Sequence, residues 1–287
     1  MPKDETPATI KWSGVPYPGV LPRPKAVCDR GRSGELQTHN RSKPLKNQPV
    51  SLASLQRSLS SERLQAYATP EDSDSLDAVA RYVWDLALGA AIQPVLHVLE
   101  ITFRNHVFEA SRKLVDESAL RFHDMECWLD ADPSLLEERE LAAVLDAKNA
   151  LLRSKRPLTP GRLVAKLGFG FWVSLCKRPY EQGRVTGPGL WPGLISHAFP
   201  FAPKQYRTRS SIFHRVDGIR ELRNRVSHHE PVWDRNVLQL HGEILETIGW
   251  MNQGLATALE PISPLFSVHR GGHARYRELA QRLVRVD

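Results

Sequence analysis

Glu221-Leu222-Arg223-Asn224-Arg225-Val226-Ser227-His228-His229-Glu230-Pro231 closes a strongly helical pattern, and Pro231 cannot continue it. At about 100° per residue, Ile212, Val216, Ile219, Leu222 and Val226 fall within roughly 120° of arc as one apolar stripe. Arg223 projects into that stripe. A guanidinium cannot shed its proton, so a buried Arg223 must be paired. Asn224 and His228, four residues apart, share the neighbouring face. Two plain explanations stand beside a functional one: Arg223 as a structural ion pair, and His228 as a cap on a helix C-terminus, where imidazolium is favoured.

The text around this stretch is helical as well, with no convincing strand alternation from Ser60 onward. Ser60-Ser61-Glu62-Arg63 opens a short helix. Asp74 or Ser75 caps a longer one with Leu76, Val79, Val83 and Ala87 on a face, and Pro94 is expected to kink or restart it. The next helix sets Leu96, Leu99, Phe103 and Val107 inward. Asp132-Pro133 and Thr159-Pro160 each read as a cap followed by proline at the first turn. The first of these helices carries Leu141, Val144, Leu145 and Leu152. After the motif helix, Asp234 caps another, with Leu238, His241, Leu245, Ile248 and Leu255 inward. An amphipathic segment from His273 to Val286 ends the chain. The fold expected is all-α.

Residues 1–59 hold eight of the 21 prolines and no apolar period. They read as a disordered basic arm, either an RNA tether or a dispensable extension, ahead of a helical domain over 60–287. The whole-chain charge of +7 is misleading: residues 1–60 carry ten Lys/Arg against four Asp/Glu, leaving the body near neutral. Within the body, residues 201–235 hold eight basic and four acidic side chains, a local patch around Arg223 and His228. Such a patch suits an enzyme acting on RNA better than a packaging protein. Cys28, Cys127 and Cys176 have no C-x-x-C spacing, which excludes a disulfide scaffold and a cysteine zinc site. No stretch reads as a membrane span, and a soluble cytoplasmic protein is expected.

Glu100 lies beside the core face of its own helix, about 40° from Leu96. It is the natural partner for Arg223, with Arg104, four residues along, as a competitor that the sequence does not eliminate. His228 and His229 with His214 or His241 do not make a metal site, because adjacent helical residues diverge by about 100° and no H-E-x-x-H spacing is present. The Gly168-Phe169-Gly170-Phe171-Trp172 run lacks the pattern of a phosphate loop and reads as core packing rather than base stacking. Tyr206, Arg207, Arg209 and Arg215 precede the motif helix as candidates for RNA backbone contacts.

Arg223-Asn224-x-x-x-His228 followed by His229-Glu230-Pro231-Val232 resembles the R-N-x3-H-H signature of abortive-infection (Abi-like) proteins in the HEPN superfamily of helical ribonucleases. Three further segments are similar in the same order: Leu96 through Asn105, then Gly168 through Val173, then Leu190-Trp191-Pro192 with Ala198-Phe199-Pro200. His241 through Trp250 continue the likeness, which covers about residues 60 to 260. The resemblance implies a HEPN-type helical bundle and an endoribonuclease that needs no metal or other cofactor. It also implies two motifs joined across a homodimer, in phage defence or as a toxin. An antitoxin protein or small RNA is a further expected partner.

The expected chemistry uses the 2′-hydroxyl of RNA as nucleophile. His228 moves the proton, Arg223 stabilises phosphoryl charge, and Asn224 orients the imidazole or binds phosphate. Glu100 supports Arg223. Arg220, Arg225, His229, Arg104, Asn105, Arg207 and Arg209 are candidate RNA contacts. The rival reading is a non-catalytic RNA-binding or regulatory module of the same fold.

Overall fold

The structure, a computed structural model, describes residues 50–72, 74–115, 121–132, 134–181 and 189–285. These fall in one compact unit that begins at Asn47. Of the arm expected over residues 1–59, residues 1–49 lie outside the described residues. Its last ten positions do not behave as an arm. Val50–Ser51 form β1 and Leu52–Leu59 form α1, capped by Ser51, which accepts from the Ser54 N–H at 3.2 Å. The reason is tertiary and distant in sequence. Leu52 and Leu55 pack on a small cluster of Leu76, Val79, Ala80, Ala280 and Val284, and β1 pairs in parallel with β4, Val284–Arg285.

After α2 (Ser61–Gln65), α3 runs unbroken from Ser75 to Leu114 with Asp74 as its cap. Pro94 does not interrupt it. Pro94 and the Ala90 carbonyl that it leaves unbonded both lie on the solvent side, so water can serve that carbonyl. The opposite face buries Leu88, Ile92, Leu96, Leu99, Phe103 and Val107 almost completely. Because it continues through Pro94, α3 meets the length and composition of a membrane span, contrary to the expectation that no stretch would. Here it is the central helix of a bundle, contacted by α6 (Phe169–Ser174), α7 (Gly193–Ala198), α8 (Arg209–Ser227), α9 (Val237–Met251), α11 (Leu265–Arg270) and α12 (Ala274–Leu283). The remaining helices are α4 (Glu138–Arg153), α5 (Pro160–Lys166) and α10 (Gln253–Leu259). Besides β1 and β4, the described strands are the two-residue pair β2 (Arg121–Phe122) and β3 (Ala131–Asp132). The architecture is therefore all-α.

Two helix readings change. Asp132 sits in β3, and α4 starts only at Glu138, with Leu145 and Leu152 about half exposed. The inward face of α4 carries Glu140 and Lys148 instead, each answered by a distant partner. Tyr180 donates to Glu140 Oε2 at 3.1 Å, and Lys148 Nζ meets Asp130 at 2.6 Å and also Asp124. The cap of α9 is Asn236 rather than Asp234, and Ile244, Thr247 and Ile248 are its deepest residues. Thr159 caps α5 as expected, and Phe169, Phe171 and Trp172 are core residues.

Candidate functional site

The motif helix α8 is capped by Thr208, whose hydroxyl accepts from the Ser211 N–H at 3.1 Å. It lays Ile212, Val216, Ile219 and Leu222 on the core, with Val226 only partly covered. Gly89 of α3 faces Val226 with room to spare, since a Cβ there would stand 3.9 Å from it, an ordinary contact. Helix α8 ends at Ser227, before Pro231. The Glu230 N–H reaches back to the Arg225 carbonyl at 2.8 Å and the His229 N–H to Val226 at 3.2 Å, a Schellman turn. Its left-handed position, usually glycine, is His229 at φ +58.

The segment after the helix is tied down from three sides. Asp85 of α3 accepts from the backbone N–H groups of Val232 at 2.7 Å and Trp233 at 2.8 Å, and from the Tyr67 hydroxyl at 3.0 Å. Burial pushes the Asp85 carboxyl above its ordinary range, against the lowering effect of these three donors. Arg225 gives two hydrogen bonds, at 3.1 and 2.7 Å, to the Pro231 carbonyl, and Arg63 of α2 donates to the His229 carbonyl. Arg81 lays its guanidinium 5.0 Å over Trp233 while bonding Asp72 at 2.7 and 3.1 Å. Sequence reasoning missed Asp85. The signal was available, since Asp85 falls on the same face as Ala78, Leu88 and Ile92, the same logic that singled out Glu100.

Arg223 and Glu100 do meet, Nε to Oε2 at 3.1 Å. The pair is not trapped in the core, however: their side chains are 34 % and 21 % exposed. Arg223 has the angular position of the stripe, but about a third of its side chain stays in solvent. Its Nη1 approaches Asn224 Oδ1 at 3.5 Å, at the limit of a hydrogen bond. His228 follows one turn on as an exposed helix cap, its N–H bonded to the Asn224 carbonyl at 2.8 Å. Its imidazole makes no hydrogen bond to the described residues. Glu100, Arg223 and Asn224 thus form one group, with His228 beside it on a fixed turn.

The candidate RNA contacts divide. Arg207 bonds the carbonyls of Ala202 at 2.7 Å and Pro200 at 3.1 Å, and Arg209 bonds Cys176 at 3.0 Å and pairs with Glu181 at 2.6 Å. Arg215 stacks on Tyr206 and Trp250 and pairs with Glu246. These three, with Arg225, spend their donors within the fold. Arg220 is held by Asp217 at 2.7 Å but lines, with Asn224, Arg225 and Arg235, a cleft of about 530 Å³ on the outer side of α8. His229 faces another hollow, with Asp85 and Gln93. Arg104 and Asn105 line a separate cavity against α5. Among the described residues no group of three His, Cys, Asp or Glu side chains is placed to hold a metal ion. The chain matches no family model, no curated protein and no solved structure.

Proposed function

We propose that the protein is an endoribonuclease of the Abi-like HEPN kind, acting in phage defence or as a toxin. The supporting observation is an arginine anchored on one nitrogen by Glu100, next to Asn224, with an exposed imidazole on a turn held by Asp85, Arg225 and Arg63. The nucleophile is the substrate's own 2′-oxygen, which attacks the adjacent phosphorus as its proton leaves. The bond from phosphorus to the 5′-oxygen breaks, that oxygen takes up a proton, and the products are a 2′,3′-cyclic phosphate and a 5′-hydroxyl. Arg223, anchored at Nε and about a third exposed, bears the charge on the non-bridging oxygens. His228 transfers a proton, and a second copy of the chain supplies the other imidazole, giving a homodimer with a shared cleft.

Purified full-length protein should cleave RNA in EDTA, leave cyclic phosphate ends and spare a substrate with deoxyribose at the scissile position. His228→Ala should lower the rate by about 10²–10⁴-fold with an unchanged melting temperature. Undiminished cleavage by a folded His228→Ala protein sinks the proposal. RNA binding without cleavage by the wild type favours the regulatory module.

A further inference from the structure

Arg104 stands one turn after Glu100 on α3 and lines a cavity of about 330 Å³ that the chemistry above does not use. Its Nε is buried and bonds to nothing among the described residues. The other cation of the cavity, Arg112, is engaged with Glu109 at 2.8 Å. Arg104 is half-buried beside the cavity with one nitrogen unanswered, and a guanidinium's planar donors fit phosphate oxygens. Beside it stands Phe108, whose ring is fixed by stacking on Trp128 at 6.1 Å and an edge contact with Trp172 at 6.3 Å. Glu109 and Glu126 at the mouth disfavour a bare anion and offer acceptors to a ligand that also carries N–H donors. A cation, a rigid aromatic wall and carboxylate acceptors together describe a nucleotide. The volume, near the lower end of small-ligand sites, suits a single one.

We infer that this cavity is a nucleotide subsite, with phosphate on Arg104 and the base against Phe108. The inference rests on the ribonuclease reading only in taking the nucleotide to be one unit of an RNA chain. Arg104 lies about 6 Å along α3 from Glu100, the partner of Arg223. Full-length protein titrated with adenosine, cytidine, guanosine and uridine 5′-monophosphates should show saturable binding of at least one, read by tryptophan fluorescence. Arg104→Met and Arg104→Gln should each weaken it at least about tenfold, and inorganic phosphate should bind more weakly than the nucleotide. Both variants should melt near the wild-type temperature, since Met and Gln keep the stem and Arg104 Nε bonds to nothing among the described residues, which separates lost binding from lost fold. In RNA cleavage Arg104→Met should raise KM more than it lowers kcat, the reverse of His228→Ala. Phosphate binding as tightly as every nucleotide, or nucleotide binding indifferent to both variants, overturns the subsite. Arg104-dependent nucleotide binding by a protein that cleaves no RNA keeps the subsite and removes the ribonuclease reading.

Discussion

Asp85 and Glu100 are carboxylates on the same helix, both turned to the motif, yet they hold it in different ways. Asp85 is 6 % exposed and accepts three hydrogen bonds, two of them from the backbone that follows α8. Glu100 sits at the rim and pairs with one side chain. The first fixes where the turn lies; the second anchors one nitrogen of a cation that stays about a third exposed. Stability is therefore expected to concentrate at Asp85 and the proposed chemistry at Glu100 and Arg223, although an acidic residue beside apolar positions marks both in the sequence.

The largest stability effect should come from Asp85→Ala. It strands two buried backbone N–H groups and the Tyr67 hydroxyl, at about 3–5 kcal/mol by urea denaturation. Asp85→Asn keeps an acceptor oxygen for both N–H groups and a donor for Tyr67, so its cost is small and depends on pH. Burial raises the folded-state carboxyl above the ordinary 3.8, so the folded protein binds a proton more tightly than the unfolded chain. That contribution is fully present below pH 3.8 and is lost as pH rises through the folded value. The stability of Asp85→Asn relative to wild type should therefore climb from about pH 4 upward and then level off. A difference that is flat across pH would show that the three donors offset desolvation, and one that falls as pH rises would show that they outweigh it.

Arg223→Ala should behave oppositely, costing little fold and much activity. With side chains 34 % and 21 % exposed, solvent screens the Glu100 pair, and about 1 kcal/mol or less is expected. Cleavage should fall by about 10²-fold or more, the scale of losing a donor to developing phosphoryl charge. A double-mutant cycle with Glu100→Gln should give a coupling below about 1 kcal/mol. Coupling of several kcal/mol would put the pair in the core and erase the contrast with Asp85.

The sequence offered Glu100 two partners, Arg223 and Arg104, and the structure pairs it with Arg223, both lying beside apolar faces that meet. Other features had no local signature. Glu140 and Lys148 are inward on α4 because Tyr180 and Asp130 receive them, so periodicity chose the wrong arc and left Leu145 and Leu152 outside. Leu52 and Leu55 are ordered by Ala280 and Val284, more than 200 residues later, where composition suggested an arm. Pro94 stays within α3 because its exposed side can lose a hydrogen bond to water. Local text fixed the end of the motif helix only approximately, since Pro231 hides the tighter turn ahead of it.

That turn supplies the smallest effect and tests the rigidity of the Asp85 side most finely. His229 occupies a left-handed position at φ +58, where a Cβ crowds the backbone and glycine fits without strain. Nothing in the Schellman hydrogen bonds needs the imidazole, because both are made by backbone groups. His229→Gly should accordingly stabilise the fold by about 0.5–1 kcal/mol, the relief of strain outweighing the freedom glycine adds to the unfolded chain. If His229 is only a hinge residue, thermal melts should rise and RNA cleavage per molecule should stay near wild type. Higher stability with lost cleavage would instead assign the second imidazole to His229, on the same chain, and remove the reason for a second copy. Lower stability would mean that His229 packs into the hollow it shares with Asp85 and Gln93, so that the turn is held by side chain as well as by backbone.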